Sequence, residues 1–287
     1  MHDFELLTFT GAHVISYLQT KLTADTRTWS DGQVHYSTIA NINGQMLGDA
    51  WAWVDGARTY MIVPGSHAEP VATHLDRYVI MEDVVIERAP FHGWALGEAV
   101  TVADDVPYRV GACSFVPGAT GLLWAADASA EALSAHVDAL VGANKASRVG
   151  AQALAMVQID AGVAAFGVDL VPLKTIPLEA GLWHGISLNK GCYLGQEIIE
   201  RLYSRGRPNK RLMHLSWPGA AMEAGAELIN DSGKAMGHIT RSYESGGTAH
   251  ALGYVKRKAL EDRDIALTIA GAAVTVGAYA GGEAPPK

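Results

Sequence analysis

Residues 190–197, Lys-Gly-Cys-Tyr-Leu-Gly-Gln-Glu, place a single cysteine between two glycines, directly before a predicted helix. That helix is expected over residues 196–203, which are helix formers with an apolar stripe at helical spacing. The exposed N–H groups and the dipole of a helix N-terminus favour the thiolate of Cys192 over its thiol, and Lys190 adds a positive charge nearby. The segment therefore predicts a reactive thiol, with a buried and inert cysteine as the alternative.

The second cysteine, Cys113, is expected to be inert, because it lies in a strand-like run, Arg-Val-Gly-Ala-Cys-Ser-Phe-Val, without an adjacent charged residue. Two cysteines cannot form a disulfide framework, and two thiols alone do not build a tetrahedral zinc site. The low cysteine count suits a reducing cytosol.

A cluster of basic residues begins within the predicted helix and continues beyond it, in a chain whose formal net charge is −8. Guanidinium and ammonium groups at this density can hold an anion such as a carboxylate or a phosphate. A solvated linker between two domains is the alternative interpretation. The cluster consists of Arg201, Arg205, Arg207, Lys210 and Arg211.

The composition predicts a folded protein, since 49% of the residues are hydrophobic and 18% are charged. A general nucleic-acid binder usually carries a basic surface, which a net charge of −8 and a pI of about 5.7 do not favour. The acidic, polar N-terminus lacks the features of a signal peptide, and no apolar run approaches the roughly 18 residues of a membrane span. We therefore expect a cytoplasmic protein with neither nucleic acid nor a membrane as a direct partner.

Strand and turn signals in the first third of the chain predict a hairpin that contains Asp49. Residues 34–42 and 46–54 read as strands and are separated by an Asn-Gly turn at positions 43 and 44. A capping box of Ser66 and Glu69 predicts the start of a helix. The neighbouring elements are a strand at 58–63, this helix running to about Tyr78, and a strand at 79–88.

The rest of the chain mixes helical and strand-like patterns. Apolar spacing predicts a helix at 129–142, and an apolar run predicts a strand at 154–159. From about residue 212 the pattern changes to short strands broken by Gly, Pro, Asn and Asp, which favours a small all-β module. The clearest of these strands are predicted at 212–217, 236–241 and 251–256.

Residues 190–197 resemble the signature of the YgfZ family, bacterial relatives of a mitochondrial iron–sulfur assembly factor. A cysteine between two glycines, followed by Gln-Glu, is a fairly specific pattern. The resemblance covers nearly the whole chain, with its pieces in the right order. The further matching segments are 11–25, 43–49, 160–167 followed by Asp169, 177–182, 237–240 and 252–257.

This resemblance implies an α+β fold of the T-protein/YgfZ type, in which a folate-binding body surrounds a central pocket and a small β-barrel follows. The implied domains are residues 1–204, a body of two intertwined subdomains, and residues 205–287, the C-terminal barrel. The wider superfamily includes the T-protein of the glycine cleavage system, an aminomethyltransferase that uses tetrahydrofolate.

The resemblance also implies a function, that of a tetrahydrofolate-binding accessory protein for the assembly or repair of iron–sulfur clusters. Such a protein would support iron–sulfur enzymes, including enzymes that modify tRNA, with Cys192 as its working thiol. Its partners would be a reduced folate and iron–sulfur client or assembly proteins. One cysteine cannot hold a cluster alone, so further ligands would have to come from a partner or a second subunit.

Asp49 matches the hairpin aspartate that lies near the reactive folate nitrogen in the T-protein. The preceding residue is Gly48, where the T-protein more often carries a second acid, and the T-protein lacks the cysteine signature. Both differences favour the YgfZ-type function. An aminomethyltransferase or demethylase, in which Asp49 acts at the folate nitrogen and Cys192 is incidental, is the alternative. A scaffold that binds folate only to stabilise its fold is the third hypothesis.

A reduced folate needs a flat, partly apolar slot for its pterin and a carboxylate that accepts two N–H donors. The candidate carboxylates are Asp49, Asp160 and Glu179. Trp51 and Trp53 share one strand face and are candidates to line the slot, with ordinary core packing as the alternative.

The glutamate tail of a folate needs positive charge, and the family signature suggests further contacts. Candidates for the tail are Arg201, Arg205 and Arg207. The signature residues expected to contact the folate are Lys190, Gly191, Tyr193, Gln196 and Glu197.

Overall fold

The computed structural model describes residues 4–31, 33–91, 93–97, 119–124, 130–143, 150–205, 208–262 and 264–281. The predictions for Cys113 and Arg207 fall outside these ranges. The chain divides into two compact units, of which the first comprises Met1–Ile39 and Gly48–Leu154 and the second Ala40–Leu47 and Ala155–Lys287. The predicted domain boundary between residues 204 and 205 falls inside the second unit. No helix among the described residues combines the length and the apolar character needed to cross a membrane.

The described part of the first unit contains a five-stranded antiparallel sheet, a separate two-stranded sheet and three α-helices. The strands of the five-stranded sheet run in the order β2-β3-β4-β1-β5, and the core of the unit includes Leu6, Trp53 and Ile62. The described elements are β1 (Phe4–Thr10), α1 (Val14–Lys21), β2 (His35–Ala40), β3 (Met46–Asp55), β4 (Arg58–Pro64), α2 (Gly65–Asp76), β5 (Val85–Pro90), β6 (Gly93–Gly97), β7 (Ala119–Trp124) and α3 (Ala130–Gly142).

The predicted hairpin is confirmed, since β2 and β3 are neighbours in the sheet. Its turn is organised by Asn41, whose side-chain Oδ1 accepts the backbone N–H groups of Asn43 (2.9 Å) and Gln45 (3.1 Å). Gly44 adopts φ 70°, a conformation that a side chain disfavours. Gly44 of the Asn-Gly pair therefore supplies the positive φ of the turn, while Asn41 supplies the side-chain acceptor.

Helix α2 confirms the predicted helix after β4 but not its predicted cap. The helix begins at Gly65, with Pro64 in the N-cap position and no side-chain cap. The Ser66 hydroxyl is instead paired with Nδ1 of its neighbour His67, at 2.8 Å. Ser66 lies inside the helix rather than at its N-cap, so the predicted capping box of Ser66 and Glu69 was wrong.

The predicted strand at 154–159 is wrong, because these residues lie in α4 (Ala151–Asp160). A short apolar run does not distinguish a strand from a helix by its period alone. Three alanines within Ala151–Ala155 favour the helix, since alanine has the highest helix propensity.

The second unit combines helices with a seven-stranded antiparallel sheet in the order β13-β12-β9-β10-β11-β8-β14. Its core includes Met213, Trp217, Leu228 and Ile239. This confirms the β-rich C-terminal module and the α+β class. The remaining elements are α5 (Gln196–Arg205), β8 (Lys210–Pro218), β9 (Glu227–Ile229), β10 (Ala235–Ser245), β11 (Thr248–Lys256), α6 (Arg257–Glu261), β12 (Thr268–Ile269), β13 (Ala272–Ala273) and β14 (Thr275–Tyr279).

Candidate functional site

Asp49 is a buried carboxylic acid in the first unit. It lies on β3 and is only 2% exposed. The hydroxyl of Tyr36, on the neighbouring strand β2, donates a hydrogen bond to Asp49 Oδ2 at 3.1 Å. Asp49 Oδ1 has no hydrogen-bond partner among the described residues. Burial raises the pKa of Asp49 to about 7, although the Tyr36 hydrogen bond acts in the opposite direction.

The pair of Asp49 and Tyr36 presents a carboxyl group whose pKa is close to neutral pH. Burial and the charge of Asp49 hold the pKa of Tyr36 well above its ordinary value, so Tyr36 remains a donor. An acceptor buried without a partner is rare in folded proteins. Asp49 Oδ1 is therefore the atom of this pair that is open to a ligand donor or a proton.

Two tryptophans follow Asp49 on β3, two and four residues along the strand. Trp51 is 7% exposed, and its ring centroid lies 5.2 Å from that of Tyr36. Trp53 is stacked on Tyr60 with centroids 5.6 Å apart. Tyr36 is absent from the residues predicted above, and the signal for it was its position in the strand that pairs with β3.

Cys192 lies in the second unit on an exposed loop, four residues before the first residue of α5. It is a free, exposed cysteine. The Tyr193 N–H donates to Gln196 Oε1 at 3.2 Å, and the Gln196 N–H donates to the Tyr193 carbonyl at 3.3 Å. These two bonds fix the loop at the helix N-terminus and leave the thiol accessible.

Lys190 and Tyr193 are both buried beside this exposed cysteine. Lys190 is 6% exposed, and its Nζ lies 5.2 Å from the centre of the Tyr193 ring. The Tyr193 hydroxyl has no hydrogen-bond partner within the described ranges. Burial, with the charge of Glu200, raises the pKa of Tyr193. The lysine charge is thus directed at an aromatic ring rather than at open solvent.

The two glycines of the signature have different structural roles. Gly195 adopts φ 81°, and a Cβ there would lie 2.5 Å from the Asn41 carbonyl oxygen and 2.9 Å from Gly44 Cα, whereas a Cβ at Gly191 would meet nothing within 4 Å. We expect Gly195→Ala to lower the free energy of unfolding by about 2 to 3 kcal/mol, and Gly191→Ala to change it by less than about 0.5 kcal/mol. Urea denaturation of the two variants checks this, and equal effects would contradict it.

The other predicted carboxylates of the second unit already have protein partners. Asp160 is exposed at the end of α4 and accepts the Tyr243 hydroxyl at 2.5 Å. Glu179 accepts the Ile176 N–H at 3.3 Å and lies 3.7 Å from Lys210 Nζ. Burial raises the pKa of Glu179, and Lys210 acts against that shift.

The predicted basic cluster is not one uniform surface. Arg201 is exposed on α5, as is Glu197. The guanidinium of Arg211 lies over the rings of Trp183 (5.8 Å) and Tyr279 (5.2 Å). The structure thus places Asp49 and Trp51 in one unit and the cysteine signature, Asp160 and the described basic residues in the other.

Comparison with known proteins identifies the C-terminal part first. Residues 209–279 match the model of the CAF17 C-terminal β-barrel domain, which confirms the predicted barrel. The fold of the chain resembles the crystal structure of glycine cleavage system aminomethyltransferase T from Bartonella henselae. The TM-score is 0.81 at 18% identity, over 96% of this chain and 83% of that one. This similarity confirms the T-protein-like fold.

Sequence relatives extend over most of the chain. The tRNA-modifying protein YgfZ of Escherichia coli O157:H7 is 30% identical in an alignment 254 residues long, which covers 79% of this chain and 74% of that protein. The YgfZ of Shigella sonnei is 28% identical over a similar length. A putative chloroplastic transferase of Arabidopsis thaliana is 48% identical over 85 residues, and the chain spans only 19% of its length. The chain belongs to the YgfZ family.

Proposed function

We propose that the protein binds a reduced folate such as tetrahydrofolate through Asp49 and serves iron–sulfur client proteins through Cys192. The observation that carries the folate part is the buried Asp49 carboxyl, whose Oδ1 lacks a partner among the described residues. A pterin offers adjacent N–H donors, which a carboxyl group can accept in pairs.

The residues around Asp49 fit a pterin chemically. The Tyr36 hydroxyl holds Asp49 Oδ2 and leaves Oδ1 for the ligand. The rings of Tyr36 and Trp51 supply aromatic surface of the kind that lines small-molecule sites. When bound, a reduced folate supplies a carrier or acceptor of one-carbon units. Asp49 contributes orientation of the ligand and, with a pKa of about 7, a proton site at that carboxyl.

The second part of the proposal rests on the accessibility of Cys192. An exposed thiol on a loop fixed to a helix can reach the surface of another protein without local unfolding. No group of three His, Cys, Asp or Glu side chains suited to a metal ion occurs in the described part of the chain. Client proteins would therefore supply the other ligands of any cluster that Cys192 touches. The relatives named tRNA-modifying proteins are consistent with clients among tRNA-modifying iron–sulfur enzymes.

Folate binding is tested by titrating tetrahydrofolate into the wild type and into Asp49→Asn. We expect the variant to bind at least about tenfold more weakly, because a lost charge-assisted pair is worth about 1.5 to 3 kcal/mol. Asp231→Asn, an exposed aspartate of the second unit, is the matched control and should bind normally. Equal affinities of all three proteins would contradict the folate assignment to Asp49.

The role of Cys192 is tested by rescue of a gene deletion in the host. Wild type, Cys192→Ala and Asp49→Asn are restored separately, and the activity of a [4Fe–4S] enzyme and the level of thiomethylated tRNA are measured under oxidative stress. We expect Cys192→Ala to fail although it still binds tetrahydrofolate. Loss of glycine catabolism with normal iron–sulfur activity would instead select a transferase. Full rescue by both variants would leave only a folate-stabilised scaffold.

A further inference from the structure

An open groove of about 830 Å³ lies in the second unit, where β8 begins and β11 ends. Its volume is within the range of roughly 300 to 1,000 Å³ typical of small-molecule sites. Four basic side chains line it, namely Lys210, Lys256, Arg257 and Lys258. The two backbone segments that carry them are joined by the Arg257 N–H, which donates to the Asn209 carbonyl at 2.8 Å.

The acidic residues of the groove do not neutralise all of this charge. Glu179 is 3.7 Å from Lys210, and Glu261 is 3.9 Å from Arg257. The third acid lining the groove is Asp262.

The two other cations of the groove have weaker compensation. Lys256 Nζ donates to the uncharged carbonyl of Ala235 at 2.8 Å. Lys258 has no ion-pair partner among the residues that the structure describes. Four basic and three acidic side chains line the groove, so it carries a small excess of positive charge in a protein whose net charge is −8, and local positive charge attracts anionic ligands.

The pairing of the strands places two of these lysines directly opposite each other. Lys210 and Lys256 are cross-strand partners in the antiparallel β8–β11 pair. Like charges at such positions destabilise a sheet. Lys210 is offset by Glu179 and by the Tyr254 ring, 4.4 Å from its Nζ, whereas Lys256 donates to an uncharged carbonyl. A bound anion would add attraction for both lysines.

We infer that this groove binds a small ligand with two or more negative charges, held by Lys256 and Lys258 with Lys210 and Arg257 beside them. The ligand chemistry is that of a phosphate chain or a polycarboxylate. The inference does not depend on the folate proposal, because it concerns different residues and a different ligand.

Calorimetric titration of the full chain with inorganic pyrophosphate and, separately, with citrate tests the inference at physiological salt. We expect the wild type to bind at least one of them with a Kd below about 1 mM. The double variant Lys256→Gln/Lys258→Gln should raise that Kd at least tenfold. The control is Lys174→Gln/Lys234→Gln, which removes two exposed lysines of the same unit from outside the groove and should bind normally.

Thermal denaturation without ligand at low salt separates binding from a structural role. The variant removes the repulsion between Lys210 and Lys256 together with the hydrogen bond from Lys256 to the Ala235 carbonyl. Its Tm should therefore stay close to that of the wild type, whereas a larger structural role would lower it. Tighter pyrophosphate binding assigns a phosphate ligand and tighter citrate binding a carboxylate. The inference is overturned if the wild type binds neither pyrophosphate nor citrate, or if the control variant loses as much affinity as the groove variant. It is also overturned if the wild type binds neither anion but binds a short RNA titrated in parallel. Tetrahydrofolate titration of the same variants should show no change, which keeps the two proposals distinguishable.

Discussion

Asp169→Ala is expected to destabilise the second unit by about 3 to 5 kcal/mol, because it leaves the charge of Arg241, whose side chain is only 13% exposed, without its carboxylate partner. Asp169 is completely buried, and its Oδ2 lies 2.6 Å from an Arg241 terminal nitrogen. The same carboxylate accepts the Ala165 N–H at 2.8 Å and the Thr240 hydroxyl at 2.5 Å. The substitution removes all three acceptor contacts at once.

A β-bulge explains how two consecutive residues reach one carboxylate. Neighbouring residues of a strand normally point to opposite faces. The pairing of β10 with β11 shifts between Ile239 and Arg241, so Thr240 is the extra residue of a bulge. Both Thr240 and Arg241 can therefore contact Asp169, which ties the segment after α4 to the barrel strands.

Urea denaturation followed by far-ultraviolet circular dichroism measures this effect. Asp231→Ala, at an exposed turn of the same unit, is the matched control and should cost less than about 0.5 kcal/mol. Asp169→Leu/Arg241→Met should cost less than Asp169→Ala, because replacing both charges leaves neither uncompensated. A loss in Asp169→Ala no larger than that of the control would refute the role of the ion pair.

The second large effect concerns the pH dependence of stability, which Asp49 should dominate in the first unit. Its pKa rises from an ordinary value of 3.8 to about 7 on folding. Between these values the unfolded chain loses a proton that the folded protein keeps, so stability falls as pH rises. The full shift corresponds to about 4 kcal/mol, lost between about pH 4 and pH 7.

Asp49→Asn removes this titration, so the difference between variant and wild type isolates it. We expect the stability of the variant relative to the wild type to improve by up to about 4 kcal/mol from pH 4 to pH 7, whatever constant offset the amide introduces. Urea denaturation of both proteins at several pH values, without folate, provides the measurement. Parallel pH profiles would show that Asp49 has an ordinary pKa in the folded protein.

Local signals in the sequence predicted the elements that are defined by neighbouring residues. The Asn-Gly pair sufficed for the β2–β3 hairpin, and apolar spacing sufficed for α3 and α5. The strand predicted at 154–159 failed because its short apolar run has no decisive period. The prediction that Ser66 caps a helix failed because the helix already begins at Gly65, with Pro64 at its N-cap.

Within the candidate site, only the residues that belong to a recognisable sequence motif could be predicted. Cys192 was identified from its place before a predicted helix and Asp49 by resemblance. The burial of Lys190 and Tyr193 was not predicted, because it depends on packing in the folded protein. The contact of Thr240 with Asp169 joins residues 71 positions apart. No local pattern indicates such a pair, since its partners meet only through the β10 bulge.

The hairpin tip at residues 40–47 has a consequence for synthesis of the protein. The tip belongs to the second unit and contacts residues that are synthesised much later. The Met46 N–H donates to the Thr175 carbonyl at 2.8 Å, and Gly44 packs against Ile198. A ribosome adds about 5 to 20 residues per second, so the nascent tip waits roughly 8 to 30 s for Gly195 and Ile198 to emerge. Until then its backbone donors face water or a chaperone, and the second unit cannot be completed before translation is well past the cysteine signature.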